Sequence, residues 1–462
     1  MDRSLVAGNI RIQQLCARRL YAYYAVKGGV MNKFMFSMCC VLYLSFALAA
    51  PMIDQADVTM TQDHGRQVII TYTLKGDPGI VTVDIQTNTM ADASGGWVSI
   101  GVENQFGFKG AVNKIVTDID KPSVITWRAN EYWPGHKLRG SIVRAEVKAW
   151  ATNNPPDVVV FDLANGNTSF YVSLDALPRD VSADEYKVRK LVLKRCHAAG
   201  VPFMMGAPSK EVGRASDNDY HYEDARIGTI SADYYLGIYE LTEGQYQYIK
   251  GKTPERSNAS CKPHIGESWD KLRGSGSGQY SWPANGHAVD SSSVMGLLRD
   301  IVKQDVDLPT SAQWEFACRA GTASAFPNGA QSCWSDMAAQ CAWTKTNSGQ
   351  TPREVGTIYT NSWGFCDMNG NASEWVLDFI SNFPQNHDFE NGPSESPCDH
   401  RYMLTKNMRM IRGGGCLQPE TKVRSACISD WAPSSGTSDN SGQIGCRVCM
   451  PAVVRVQQKG DE

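Results

Sequence analysis

The chain has 462 residues and a formal net charge of −3, with 45 lysines and arginines against 48 aspartates and glutamates. This balance provides no global attraction to nucleic acid or to an anionic membrane surface, so neither is expected as a partner. The length allows two or three domains with real cores, and an apolar fraction of 42% is ordinary for a soluble globular protein.

The N-terminus has the pattern of an export signal. A lysine precedes an apolar run over residues 34–48, and Ala47 and Ala49 have the spacing of a signal-peptidase site. The run is shorter than the roughly 20 residues that span a bilayer. Residues 1–49 are therefore predicted to be a leader, with the signal peptide in 31–49. We expect no integral membrane segment after cleavage, and a protein that is secreted, periplasmic or held at the cell surface.

Residues 50–176 show the alternation of half-buried β-strands. In QVIITYTL the apolar side chains share one face, and IVTVDIQ and IVRAEVKAW repeat the pattern. Two further apolar stretches, DVVVFDL and SFYVSL, follow after residues typical of turns. This pattern predicts an all-β sandwich of immunoglobulin or fibronectin type. It contains no cluster of titratable residues, so a spacer or interaction module is expected.

Residues 177–192 are polar and charged, and we interpret them as a linker. A second domain is predicted over residues 193–452, followed by a polar tail over residues 453–462. The second domain mixes helices with irregular segments.

Two predicted helices of the second domain begin with capping boxes, which satisfy the free amides at a helix start. These pairs are Thr242 with Gln245, and Thr310 with Gln313. Between them, SSSVMGLLRDIVKQ has the apolar spacing of a third helix. Beyond residue 320 the chain is rich in glycine, asparagine and tryptophan and has little periodicity, which indicates a domain dominated by loops.

The fourteen cysteines are unevenly distributed. Three precede the cleavage site, eleven lie between Cys196 and Cys449, and residues 50–195 have none. In an oxidising compartment this clustering predicts several disulfides within the second domain. No pair of CxxC motifs is present, so structural zinc is not expected.

Six stretches of the second domain occur in the order known for one family. They are PFMMGAPSKEVGRASDND, YYLGIYELTEGQY, LPTSAQWEFACRAGT, WGFCDMNGNASEW, IRGGG and GQIGCRV. Through them, residues ~193–452 resemble the sulfatase-modifying-factor family, whose best-known member is the formylglycine-generating enzyme. The resemblance implies an irregular α+β domain related to C-type lectins. The expected fold class is therefore α+β, with this domain preceded by the all-β sandwich.

The resemblance also implies an activity. The family's enzyme converts a client cysteine to formylglycine with dioxygen, using two cysteines after the glycine pair that bind copper(I), a soft ion suited to thiolates. The segment is shorter here, so Cys416 and Cys427 stand at other positions than that pair. Gly415 and Gln443 likewise replace the family's serine and asparagine. Cys416 and Cys427 are the catalytic candidates, and copper is expected only if they are active.

A structural role is the other interpretation of Cys416 and Cys427. It predicts a disulfide, either between the two or from them to Cys446 or Cys449. The resemblance further implies that Cys318, in FACRAG, is disulfide-bonded to Cys446 or Cys449.

DMNGNASEW matches the family's calcium segment. Carried over, the ligands are the side chains of Asp367 and Glu374 and the carbonyls of Gly370 and Ala372. Hard oxygen donors of this kind suit calcium, which tolerates irregular geometry. The alternative is an ordinary turn with a solvated carboxylate.

Three functions agree with these features. One is a protein-modifying oxidoreductase of the formylglycine-generating type, and another is a non-catalytic, lectin-like module that binds a peptide or a glycan. The third is an iron-dependent relative, but neither HDF (387–389) nor DYHYED (219–224) makes a facial triad. Whether the protein is an enzyme stays open at this point.

Overall fold

A computed structural model describes residues 49–90, 94–136, 138, 142–211, 213–214, 223–254, 257, 259–274, 289–329, 339–379, 408–428, 430–433 and 443–457. The predicted leader, residues 1–49, lies outside the described residues except for its last residue. HDF (387–389) and most of DYHYED (219–224) also fall outside them.

The described residues form mostly strands and a few short helices. The strands are β1 (Met52–Ile53), β2 (Thr59–Gln62), β3 (Val68–Lys75), β4 (Gly79–Asn88), β5 (Trp97–Ser99), β6 (Lys109–Gly110), β7 (Lys114–Val116), β8 (Pro122–Trp127), β9 (Val143–Trp150), β10 (Val158–Asp162), β11 (Thr168–Tyr171), β12 (Lys190–Cys196), β13 (Phe203–Met205), β14 (Arg226–Gly228), β15 (Tyr234–Gly237), β16 (Ser373–Phe379), β17 (Met408–Arg412), β18 (Asp430–Pro433), β19 (Ile444–Cys446) and β20 (Cys449–Pro451). The α-helices are α1 (Ala129–Tyr132), α2 (Asp184–Val188), α3 (Glu243–Ile249), α4 (Trp269–Arg273), α5 (Val294–Val302) and α6 (Ser311–Arg319). Short 3₁₀ turns occur at Gln55–Asp57, Val102–Asn104, Leu174–Ala176 and Glu420–Lys422.

Strands β1 to β9 form two sheets that share one hydrophobic core. The first has the order β1-β3-β8-β6 with β2 beside β3, and the second has the order β5-β4-β7 with β9 beside β4. The predicted alternation of β3 is confirmed, because Val68, Ile70, Tyr72 and Leu74 are all buried while their neighbours are half-exposed. Period-2 burial of this kind fixes the register of the strand.

Strands β10 and β11 lie in a different sheet from the one that the sequence indicated. They join a five-stranded sheet of order β11-β10-β12-β15-β20, and β10 pairs with β12 from Val158↔Lys194 to Asp162↔Lys190. The physical reason is that β10 is buried on both faces along most of its length. A continuous apolar run predicts a central strand but does not tell which sheet contains it.

The segment interpreted as a linker is structured as well. Residues 177–192 contain α2 and the first residues of β12, and the side chain of Lys187 is only 4% exposed. Its ammonium lies 2.9 Å from a carboxylate oxygen of Glu354. The polar composition of residues 177–192 therefore does not mark a solvated linker throughout, because one of the charged side chains is buried in an ion pair.

Helices α3, α5 and α6 begin where the sequence predicts them. Both capping boxes are present, with Thr242 and Thr310 each accepting from the backbone of the glutamine three residues on. Helix α6 is buried along its whole length and packs near the sheet of order β18-β17-β16-β19. Within the described part of the chain, every helix is too short or too polar to cross a bilayer.

Candidate functional site

A tight glycine turn follows β17 and positions the first candidate cysteine. Gly413 and Gly414 have φ angles of 82° and 64°, in the left-handed region that favours glycine. A Cβ on Gly414 would lie 2.6 Å from the carbonyl oxygen of Lys422, so a side chain does not fit there. The turn brings Cys416 against the loop that precedes β16.

Cys416 is a buried thiol in a fully bonded backbone. Its N–H donates to the carbonyl of Asn371 at 2.9 Å, and its own carbonyl accepts from the Ser348 hydroxyl at 2.9 Å. The thiol donates to the side-chain oxygen of Gln443. Burial, and then the nearby Glu240 carboxylate, raise the pKa of Cys416 to about 11.

Cys427 has different neighbours. It is 1% exposed, and its N–H donates to the carbonyl of Arg424 at 3.0 Å. Burial, and then the Glu223 carboxylate, raise the pKa of the Cys427 thiol to about 12. Arg424 is itself held by Glu211 at 2.6 Å and by Glu223 at 2.7 Å. Both candidate cysteines are therefore thiols at neutral pH.

The predicted disulfides are not formed among the described residues. Nine cysteines there are buried and outside any disulfide: Cys196, Cys261, Cys318, Cys341, Cys366, Cys416, Cys427, Cys446 and Cys449. The Cys318 sulfur faces the side-chain oxygen of Asn369 at 3.7 Å, whereas the Cys449 sulfur faces that of Gln313 at 3.8 Å. The two sulfurs that the resemblance paired point at different partners, and buried ion pairs connect these loops instead.

One such ion pair lies between helix α6 and strand β17. Glu315 is fully buried and accepts from Arg319 at 2.9 Å, from Arg412 at 2.8 Å and from the Gly206 amide at 2.7 Å. The two arginines hold the pKa of the Glu315 carboxyl below its usual value despite its burial. Arg412 also donates to the carbonyls of residues 425–427, so it fixes the segment that ends at Cys427.

A second buried ion pair involves the predicted calcium ligand Glu374. Arg447 donates from Nη2 to Glu374 Oε1 at 2.9 Å and from Nε to both carboxylate oxygens at 3.2 Å. The indole of Trp314 donates to Glu374 Oε2 at 2.8 Å. Glu374 and Arg447 side chains are both completely buried.

Two further carboxylates lie near that pair. Glu240 is fully buried and accepts from the Asn371 side chain at 2.7 Å and from the Ala372 amide at 2.9 Å. Burial, and then the charges of Asp367 and Glu374, raise the pKa of Glu240 well above its usual value. Asp367 accepts from the Gly356 amide through Oδ2, while its buried Oδ1 has no hydrogen-bond partner. Burial raises the pKa of Asp367 to about 6.

These contacts decide whether the predicted ligands Asp367, Gly370, Ala372 and Glu374 fit calcium. The orphaned oxygen of Asp367 would favour a cation. Glu374, however, is already neutralised by Arg447, whose remaining N–H groups donate to the carbonyls of Gly237 and Cys366 at 2.9 Å. A calcium ion would have to displace this buried guanidinium and leave it unpaired. The four residues therefore do not form an open calcium site, and burial disfavours the ionised forms of Asp367 and Glu240.

The sequence of this domain matches the profile of a known family. The match covers residues 198–450, more than half of the chain, and the family is described as the sulfatase-modifying factor enzyme 1-like domain. The chain belongs to this family. No protein among those with curated annotation matches the chain.

Three solved structures match this family member at low sequence identity. PvdO from Pseudomonas aeruginosa is 21% identical, with 56% of this chain and 94% of PvdO covered and a TM-score of 0.42. Treponema denticola variable protein 1 is 18% identical over 57% of this chain and 95% of that one, with a TM-score of 0.40. CarF is 16% identical over 56% and 98%, with a TM-score of 0.36. These values carry no argument about activity.

Two cationic side chains lie near Cys416, and an aromatic ring lies beside one of them. The positive charges of Lys262 and Arg353 both favour a lower pKa of the Cys416 thiol, although burial outweighs them. The Arg353 guanidinium lies 5.6 Å from the ring centre of the half-exposed Trp343, and its backbone N–H donates to Asn371. Neither cation forms an ion pair with any described residue.

The sequence did not point to Glu240, Glu315 or Arg447 as important residues. Each is a charged residue in an otherwise apolar or loop-like stretch, and partners such as Glu374 and Arg447 are far apart in the chain. The usable signal was the charge itself, because an ionised side chain inside a buried strand or helix requires a partner.

Proposed function

We propose that this protein is exported and that its sulfatase-modifying-factor-like domain acts as a non-catalytic binding module. The observation that carries the proposal is the state of the two candidate cysteines. Cys416 and Cys427 are both buried, their pKa values are raised to about 11 and about 12, and each has its own set of polar neighbours. A copper(I) pair needs two sulfurs that meet at one ion, and thiol oxidation needs a thiolate, so neither role agrees with two protonated sulfurs in different surroundings.

The alternative, an oxidoreductase that acts on a protein cysteine, needs such a thiolate pair. The Cys416 thiol instead donates a hydrogen bond to the side-chain oxygen of Gln443, and a deprotonated sulfur would lose this bond. The residues present therefore do not fit a copper centre, and no catalytic step is assigned to them.

The patch beside Cys416 indicates what a ligand would offer. Lys262 and Arg353 have no acidic partner among the described residues, and Trp343 adds a half-exposed aromatic surface next to Arg353. A cation without an ion-pair partner beside an aromatic ring, as Arg353 is beside Trp343, suits a ligand that combines an acidic group with an apolar or sugar-ring face. We infer a peptide or a glycan that carries a carboxylate.

The rest of the architecture agrees with a binding protein outside the cell. We infer that residues 31–49 direct export, that β1 to β9 form an immunoglobulin-like or fibronectin-like spacer, and that the second domain has a C-type-lectin-like arrangement. The shared core of the two N-terminal sheets supports the sandwich. The protein would then be secreted, periplasmic or held at the cell surface.

Binding to arrays of acidic and neutral glycans and peptides tests this function. We expect retention on acidic probes, which falls at high salt and is lost in Arg353→Ala. Arg128→Ala is the matched control, because Arg128 is an exposed arginine between β8 and α1 that pairs with Glu131. Glycan and peptide arms separate the two sources of the carboxylate. Equal binding to neutral and acidic probes, or no effect of Arg353→Ala, would contradict the proposal.

A further inference from the structure

Three metal-ligating side chains converge at a place that the candidate site does not use. One oxygen each of Asp184 and Glu354 and the sulfur of Cys261 all lie within 4.8 Å of one another. Among the described residues, this is the one group of three or more histidine, cysteine or acidic side chains with such spacing. Its members come from three distant segments, so no sequence motif announces it.

The fold holds the three segments together on independent grounds. Asp184 is the first residue of α2, and Cys261 and Glu354 lie in two loops. The Val355 amide donates a hydrogen bond to the Cys261 carbonyl at 3.0 Å, and this bond joins the two loops. Lys187, on the same helix as Asp184, holds Glu354 at 2.9 Å. The donors are therefore positioned before any ion binds.

The Cys261 side chain gives a second and separate indication. The residue is 4% exposed, and its sulfur lies within 4.8 Å of an oxygen of each carboxylate, with the Ser260 hydroxyl and the Lys187 ammonium as its other polar neighbours. A buried sulfur this close to two carboxylate oxygens is placed as a metal ligand would be.

The charges add up to what a divalent ion would neutralise. Two carboxylates and a thiolate contribute three negative charges, and Lys187 contributes one positive charge. The remaining two negative charges match one divalent cation. Mixed sulfur and oxygen donors favour a borderline ion such as zinc over calcium or magnesium, which take oxygen ligands alone.

We propose that Asp184, Cys261 and Glu354 bind one zinc ion that cross-links helix α2 to the loops at residues 259–263 and 351–357. The thiol loses its proton to solvent when the metal binds, and no oxidation step is involved. A fourth position is left for water. The ion would take the structural part that disulfides were expected to play, and it revises the expectation that zinc is absent.

Zinc content and thermal stability test the proposal on the full chain. The protein is stripped with a chelator, dialysed and titrated with zinc alone. We expect binding of one equivalent that raises the melting temperature, because a ligand that binds only the folded state stabilises it. In Cys261→Ser this equivalent should be lost, while Cys427→Ser, which removes another buried thiol, should keep it. No zinc binding by the wild-type chain would overturn the proposal.

Cobalt(II) supplies a readout that does not depend on stability. A thiolate-to-metal charge-transfer band is expected in the wild-type chain and in Cys427→Ser. If Cys261→Ser fails to fold, Glu354→Gln is the second test, because it keeps the thiol and removes one ligand. Its zinc affinity should fall by more than the roughly 10-fold to 100-fold loss seen when a residue that merely orients a ligand is removed. A band that persists in Cys261→Ser, or wild-type affinity in Glu354→Gln, would contradict the site.

Discussion

Arg447 neutralises Glu374 in the interior of the domain, with Nη2 2.9 Å from Oε1 and both side chains completely inaccessible to solvent. Glu374 lies on the central strand β16, opposite Arg412 of β17 and Gly445 of β19. The pair thus ties strand β16 to the segment between β19 and β20. It occupies the position at which the family resemblance implied a metal ligand.

Glu374→Gln should destabilise the protein strongly and independently of calcium. The substitution leaves the Arg447 guanidinium buried without a counter-charge, which costs about 3–5 kcal/mol. Urea unfolding with and without calcium measures this. Asp57→Asn, which breaks the exposed pair with Lys75, serves as the control and should change the stability little, because solvent screens exposed ion pairs. A stability gain on adding calcium that Glu374→Gln removes would restore the calcium site.

Asp367→Asn should stabilise the protein at pH 8 and change little at pH 4. The pKa of Asp367 is about 6 in the folded state against 3.8 for the unperturbed group. Between these values the folded state binds more protons than the unfolded state, so rising pH lowers the free energy of unfolding. An amide removes the buried charge and keeps an oxygen for the Gly356 amide.

We expect the gain from Asp367→Asn at pH 8 to be about 1–3 kcal/mol, the typical cost of an unsatisfied buried group. Denaturant unfolding over pH 4–8 measures it, with the exposed Asp300→Asn as a control that should leave the profile unchanged. A loss of stability at pH 8 would show that the Asp367 carboxylate is favourably paired.

Gly414→Ala should cost more stability than Gly135→Ala. Both glycines have positive φ angles, 64° and 80°, so each substitution carries the backbone cost of about 1–2 kcal/mol. A Cβ at Gly135 meets nothing within 4 Å, whereas one at Gly414 meets the Lys422 carbonyl at 2.6 Å. Thermal unfolding of the two variants compares them, and equal costs would mean that the turn after Gly413 is not as tight as described.

Cys416 and Cys427 should resist thiol reagents in the native protein. Burial keeps both as protonated thiols at neutral pH, and the thiolate is the reactive form. Mass mapping after brief treatment with iodoacetamide at pH 7.5 should find both unmodified, and both fully modified in urea. Rapid labelling of Cys416 in the native state would indicate a reactive thiolate and contradict its structural role.

Local signals in the sequence predicted the parts of the fold that depend on near neighbours. The capping boxes at Thr242 and Thr310 gave the starts of α3 and α6, and alternation gave the buried face of β3. Pairing between distant segments could not be predicted in the same way. The placement of β10 beside β12 is one such case.

The candidate site was predicted in the same uneven way. The segment from Asp367 to Glu374 and the glycine turn at Gly413 were recognised from short motifs. The partner of Glu374 was not, because Arg447 is 73 residues away in the chain and only the folded backbone brings the two together. The predicted disulfides were wrong for a similar reason. The number of cysteines suggests disulfides, but tertiary packing decides which sulfurs come within bonding distance.

Turnover of a peptide substrate tests most directly whether this family member is catalytic. A peptide containing Cys-x-Pro-x-Arg is incubated with the purified chain, copper(I) and dioxygen, and its cysteine is followed by mass spectrometry. We predict that the peptide cysteine stays unchanged over many hours, even when the protein and the peptide are present at equal concentrations. Conversion of the thiol to an aldehyde, lost in Cys416→Ser, would contradict the account and establish an oxidase.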